Sequence, residues 1–235
     1  MRSFVLALAC AAGFSASALG TVSFSLSNGS RAATADFTVD GTSLKVRLTN
    51  TSAADALVPT DLLTAIFFNI SNPAVTLTPS SAVLAPGSTI FGAPAQPSSG
   101  VVGGEWAYRG ATTLANGFGY GISSTGLGDF GPGDRFPGDN LSGPTSPDGP
   151  QYGITTAGDN PATGNGGLNT EIIHNSVNFV LTGLPVGFAE SRITGARFQY
   201  GTDYAEPSFP GTLVPAPGAA ALLGLGGLVM ARRRR

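Results

Sequence analysis

Ala35-Asp36-Phe37-Thr38-Val39, then Asp40-Gly41, then Leu44-Lys45-Val46-Arg47-Leu48-Thr49 is the stretch on which the fold turns. Leu44, Val46 and Leu48 alternate with Lys45, Arg47 and Thr49, the period of two of a strand with one buried face. Asp40-Gly41 between two such runs is a strong hairpin signal. The same period returns at Val177, Phe179 and Leu181, and again over Ile193 to Tyr200, where Ala196, Phe198 and Tyr200 share a face. Val75-Thr76-Leu77-Thr78 reads as a further short strand. Leu62 to Ile70, bracketed by Pro59 and Pro73, fits a buried strand or a short helix. No segment of the body carries a sustained apolar stripe of helical period. Short strands with frequent turn signals predict an all-β body, an antiparallel sandwich of jelly-roll-like or related form.

Residues 85–170 differ from this pattern, with 21 Gly and 9 Pro. Candidate strands there are short: Glu105 to Arg109, Gly117 to Ser123 and Tyr152 to Thr156. Aromatic residues such as Trp106, Tyr120, Phe130 and Phe136 are interspersed, and flexible linkers lack such anchors. The expectation is an ordered, loop-rich insertion lying across the sandwich, not a structureless loop.

Composition removes several kinds of chemistry. The chain has 235 residues, 11% charged, with one Cys and one His. That excludes an internal disulfide and a Cys/His zinc site. Cys10 lies in the N-terminal apolar run, so residues 19–213 hold no thiol. These residues carry 7 basic and 14 acidic side chains, a formal charge of -7, which excludes a basic nucleic-acid binder. His174 has no Gly-x-Ser-x-Gly elbow to serve and reads as a surface or turn histidine. Asp129, Asp134 and Asp139 sit among Gly and Pro. Carboxylates on tight turns suit calcium, and they also serve the turns themselves. No other cofactor is expected. Glu105 beside Trp106 and Tyr108 has the composition of a sugar site, an acid with an aromatic platform, and equally of a core.

The two ends read as addresses. Met1-Arg2-Ser3, an apolar run from Phe4 and then Ala16-Ser17-Ala18 make a secretory signal peptide over 1–18. Cleavage is expected after Ala18, with Gly20 as a second candidate and a lipoprotein modification at Cys10 as an alternative. The other end reads Val214-Pro215-Ala216-Pro217-Gly218, an apolar stretch 218–231, then Arg232-Arg233-Arg234-Arg235. Fourteen uncharged residues cover roughly 21 Å as a helix, against about 30 Å for a bilayer core. The arginines hold their end on the cytoplasmic side and snorkel there. Prolines keep the approach extended, the form that a membrane-embedded peptidase grips.

The tail 214–235 resembles a PEP-CTERM sorting signal: a Pro-x-Pro motif, a short apolar helix and an Arg cluster. Ala216 stands where that motif usually has Glu, a variant similar to that of planctomycete-type bacteria. The resemblance implies export through the secretion translocon, transient anchoring in the inner membrane and recognition by an exosortase that cuts near the motif. The product would lie at the cell surface or in extracellular polymer, with polysaccharide as a possible partner. Gly104-Glu105-Trp106-Ala107-Tyr108, Phe130 to Gly138 and Phe198-Gln199-Tyr200-Gly201-Thr202 look like segments of a domain recurring in exosortase-dependent surface proteins. That likeness implies a surface protein and adds no site. The expected function is therefore structural or adhesive and not enzymatic. The alternatives are a secreted carbohydrate-binding module or glycan hydrolase, and an uncleaved, C-terminally anchored envelope protein.

Overall fold

The computed structural model describes residues 20–93 and 95–215. The predicted signal peptide with Ala16 and Ala18, and Ala216, Pro217, Gly218, the apolar helix 218–231 and Arg232 to Arg235, lie outside the described residues. Among the described residues no helix is long and apolar enough to cross a membrane.

The body is all-β. The chain begins with a meander: β1 Thr21–Asn28, β2 Arg31–Asp40 and β3 Ser43–Asn50. Asp40 pairs with Ser43, so the hairpin loop is Gly41-Thr42, one residue later than Asp40-Gly41. Gly41 takes φ +61° at the first loop position, as a two-residue turn led by glycine requires. The strands that follow are β4 Leu63–Ile70, β5 Thr78–Leu84, β6 Thr89–Phe91, β7 Ala107–Gly110 and β8 Tyr120–Ser123. Next come β9 Ile154–Thr155, β10 Ile172–His174 and β11 Ser176–Thr182. β12 Ile193–Tyr200, β13 Ser208–Pro210 and β14 Thr212–Val214 complete the set.

Two sheets result. The first runs β14-β1-β2-β3-β11-β5, and the second runs β13-β12-β4-β9-β10-β6 with β8 and β7 branching from β4. All pairings are antiparallel except the short one between β9 and β10. The chain crosses between the sheets at Gly211, whose N–H donates to the Ala196 carbonyl (2.8 Å) between β13 and β14.

Side chains from both sheets close one core. Phe37 of the first sheet meets Phe68 of the second at 5.0 Å between ring centroids, and Phe68 stacks on Tyr120 at 5.3 Å. The ambiguous run at Leu62 to Ile70 is a strand, and it is apolar apart from Thr64 and Asn69 because both faces are covered. Ile66, Phe68 and Ile70 face the main core. Ala65 and Phe67 face a second cluster with Leu114 and Phe130. A bulge at Thr64 lets Leu63 return to the main core: Gln199 pairs with Ala65, but Tyr200 pairs with Leu63.

The Gly/Pro-rich middle is therefore built into the body. Leu114, Phe118 and Phe130 cover the outer face of β4, while Trp106, Phe136 and Tyr152 enter the main core. Several predicted strands are shorter than expected. Val75 to Leu77 is not a strand; Val75 and Leu77 are buried without ladder pairing, and the strand starts at Thr78. Residues Gly103–Glu105 form a 3-10 turn ahead of β7, and β9 spans only two of the residues expected. His174 ends β10, and Asn175, at φ +85°, separates it from β11.

Candidate functional site

The predicted sorting motif starts on a sheet edge. Val214 is the last residue of β14, the outermost strand of the first sheet, and pairs with Ser23 of β1. Val214 is exposed, and Pro215 then leaves the ladder, since proline has no N–H to give it. Antiparallel pairing puts the first residues of β1 beside the last residues of β14. The body thus receives and releases the chain at one corner.

The three aspartates considered for calcium are separated in their tasks. Asp129 accepts hydrogen bonds from Ala115 N (2.9 Å) and the Tyr204 hydroxyl (2.5 Å). Burial, then the bond to Asp129, pushes the Tyr204 phenol far above its ordinary range. Asp134 accepts from Gly131 N (2.8 Å) and closes its own turn. Asp139 is exposed, and its backbone carbonyl packs against Gly104. Among the described residues no group of three His, Cys, Asp or Glu side chains is arranged to hold a metal.

Glu105, Trp106 and Tyr108 do not form a surface platform. All three are buried, and Trp106 meets Phe179 edge-on at 5.0 Å inside the core. The Glu105 carboxylate instead ties down the middle of the chain. It accepts from Leu141 N and from Ser146 Oγ (2.6 Å), and Ser146 Oγ also reaches Asp148 Oδ1 at 3.1 Å. Burial raises the Glu105 carboxyl above its ordinary value of 4.5, against the opposing pull of these hydrogen bonds. A raised folded-state value stabilises the fold fully below about 4.5, and this contribution is lost as pH rises through the folded-state value. The melting temperature of the parent relative to Glu105→Gln should therefore fall as pH rises above about 4.5. A pH-independent difference between the two proteins would contradict this.

His174 stacks on Phe91 with ring centroids 6.1 Å apart and is only partly exposed. Its Nε2 has no hydrogen-bond partner among the described residues. With Nε2 unpartnered, no nucleophile–base hydrogen bond runs through that nitrogen among the described residues.

The outer face of the first sheet holds a groove of about 570 Å³. Its floor is set by strand register. Ser23, Asp36, Arg47, Asn178 and Val83 lie in one row across β1, β2, β3, β11 and β5. Thr21, Thr38, Lys45, Val180 and Ser81 make the next row. Ser23 Oγ donates to Asp36 Oδ1 (2.6 Å), and the Thr21 and Thr38 hydroxyls are 2.9 Å apart. Sequence alternation marks Lys45, Arg47 and Asn178 as outward-facing, but their alignment depends on β3 pairing with β11 far along the chain. No family model, no curated protein and no solved structure matches this chain.

Proposed function

We propose that the chain is an exported surface or matrix protein, sorted and processed by an exosortase-type membrane enzyme, with a body whose role is structural or adhesive. The observation that supports it best is the position of the motif: Val214 ends an exposed edge strand, and Pro215 continues away from the ladder. An extended segment at a sheet edge is in the form that a processing groove takes up. In this reading the apolar stretch 218–231 anchors the chain in the inner membrane until cleavage, with Arg232 to Arg235 on the cytoplasmic side. The two facing sheets are read as an antiparallel sandwich related to jelly rolls, with 85–170 as its ordered insertion.

Replacing Pro215 and Pro217 with Ala should make the unprocessed chain accumulate in the membrane fraction, while its melting temperature stays within about 2 °C of the parent. Unchanged processing in that variant would count against the motif. A carbohydrate-binding role is the second reading, and the groove on the first sheet, lined in part by Asp36, Arg47 and Asn178, is the observation that favours it.

A further inference from the structure

We propose that the outer groove of the first sheet binds an extended acidic polysaccharide, with Arg47 holding a sugar carboxylate. This rests on the reading of the body as a surface protein that meets extracellular polymer, and is independent of how the chain is sorted.

Charge points to Arg47. Of the body's 7 basic residues, two, Lys45 and Arg47, line this groove, and Lys45 Nζ is already paired with Asp40 Oδ2 at 2.6 Å. The other arginines are engaged: Arg31 pairs with Asp61 at 2.7 Å, and Arg109, Arg135, Arg192 and Arg197 bond to backbone carbonyls. Arg47 makes one side-chain hydrogen bond among the described residues, to Ser176 Oγ at 3.3 Å. Asp36 is directly across from it in register, yet the two form no ion pair there. Asp36 is held by Ser23 instead. A planar guanidinium with free donors on an open face is suited to a bidentate carboxylate.

Strand spacing suits an extended sugar chain. Successive positions in a row are one strand apart, about 4.8 Å, and successive rows are about 6.7 Å apart. The strand spacing is close to the length of one pyranose residue in an extended chain. Within the groove, Asp36, Arg47 and Asn178 on three neighbouring strands thus offer successive sugars a carboxylate, a guanidinium and an amide. Asp36 accepts from sugar hydroxyls, Asn178 both donates and accepts, and Val180 gives the C–H faces an apolar rest. A peptide strand would instead pair at a sheet edge.

Titration calorimetry on the full chain in detergent tests this, with alginate oligosaccharides as the acidic probe and cello-oligosaccharides as the neutral one. The alginate should bind saturably. Arg47→Met should weaken it roughly tenfold to a hundredfold, the loss of one charge-assisted contact, with an unchanged melting temperature. Val186→Ala, at an exposed residue that does not line the groove, should leave binding unchanged. No binding of alginate, equal binding by Arg47→Met, or tighter binding of the neutral probe would each overturn the proposal. A failed titration leaves the sorting prediction intact, because processing is read from the chain terminus and not from ligand binding.

Discussion

Trp106→Ala should destabilise the body by about 3–5 kcal/mol, the cost of emptying a buried aromatic site. For a chain of this size that lowers the melting temperature by roughly 6–20 °C. The side chain is fully buried, touches Phe179 edge-on at 5.0 Å, and Phe136 lies 5.4 Å from the same ring. Truncation would leave a cavity between the first sheet and the middle segment. Trp106→Phe should cost much less than the lost volume suggests. The indole Nε1 has no hydrogen-bond partner among the described residues, and removing an unpaired buried donor recovers part of the loss. Trp106 is the only tryptophan, so its fluorescence reports on this site alone. Emission should be blue-shifted in the native protein and unaffected by oligosaccharide. Red-shifted emission that responds to sugar, with a melting temperature unmoved in Trp106→Ala, would return Trp106 to a surface platform.

Gly104→Ala should be at least as damaging, at about 3 kcal/mol or more. A Cβ at Gly104 would lie 1.9 Å from the Asp139 carbonyl oxygen, and one at Gly103 would lie 1.9 Å from that of Pro137. Both obstacles are backbone, so no rotamer change relieves them. The segment Phe136 to Asn140 would have to withdraw, and the Glu105 bonds to Leu141 and Ser146 would break with it. Limited proteolysis should then cut between about 137 and 148, where the parent resists, and the midpoint of thermal unfolding should fall. Ser146→Ala is the milder comparison, because it removes one partner of Glu105 and leaves the Leu141 contact in place. Equal resistance to protease in Gly104→Ala and the parent would contradict the close approach.

Local pattern made the hairpin legible because each strand of β2 and β3 has one buried face and one open face. The same logic could not separate strand from helix at Leu62 to Ile70. β4 is covered by the first sheet on one side and by Leu114 and Phe130 on the other, which erases alternation. Val75 and Leu77 alternate correctly, yet they fill the core from an unpaired segment; Val75 N donates to the Tyr120 hydroxyl (2.9 Å) instead of to a neighbouring strand. Trp106 and Glu105 had the composition of a sugar site, and composition does not reveal which way a segment faces. The groove was half legible. Period two exposed Lys45, Arg47 and Asn178 singly, but only the register between β3 and β11 aligns them.

Mass spectrometry of the chain recovered from its native cell surface or medium tests the central proposal most directly. The mature C-terminus should lie at or near the Val214 to Gly218 motif, with Arg232 to Arg235 absent. A surface-exposed chain still ending in Arg235 would contradict it and favour the uncleaved envelope anchor.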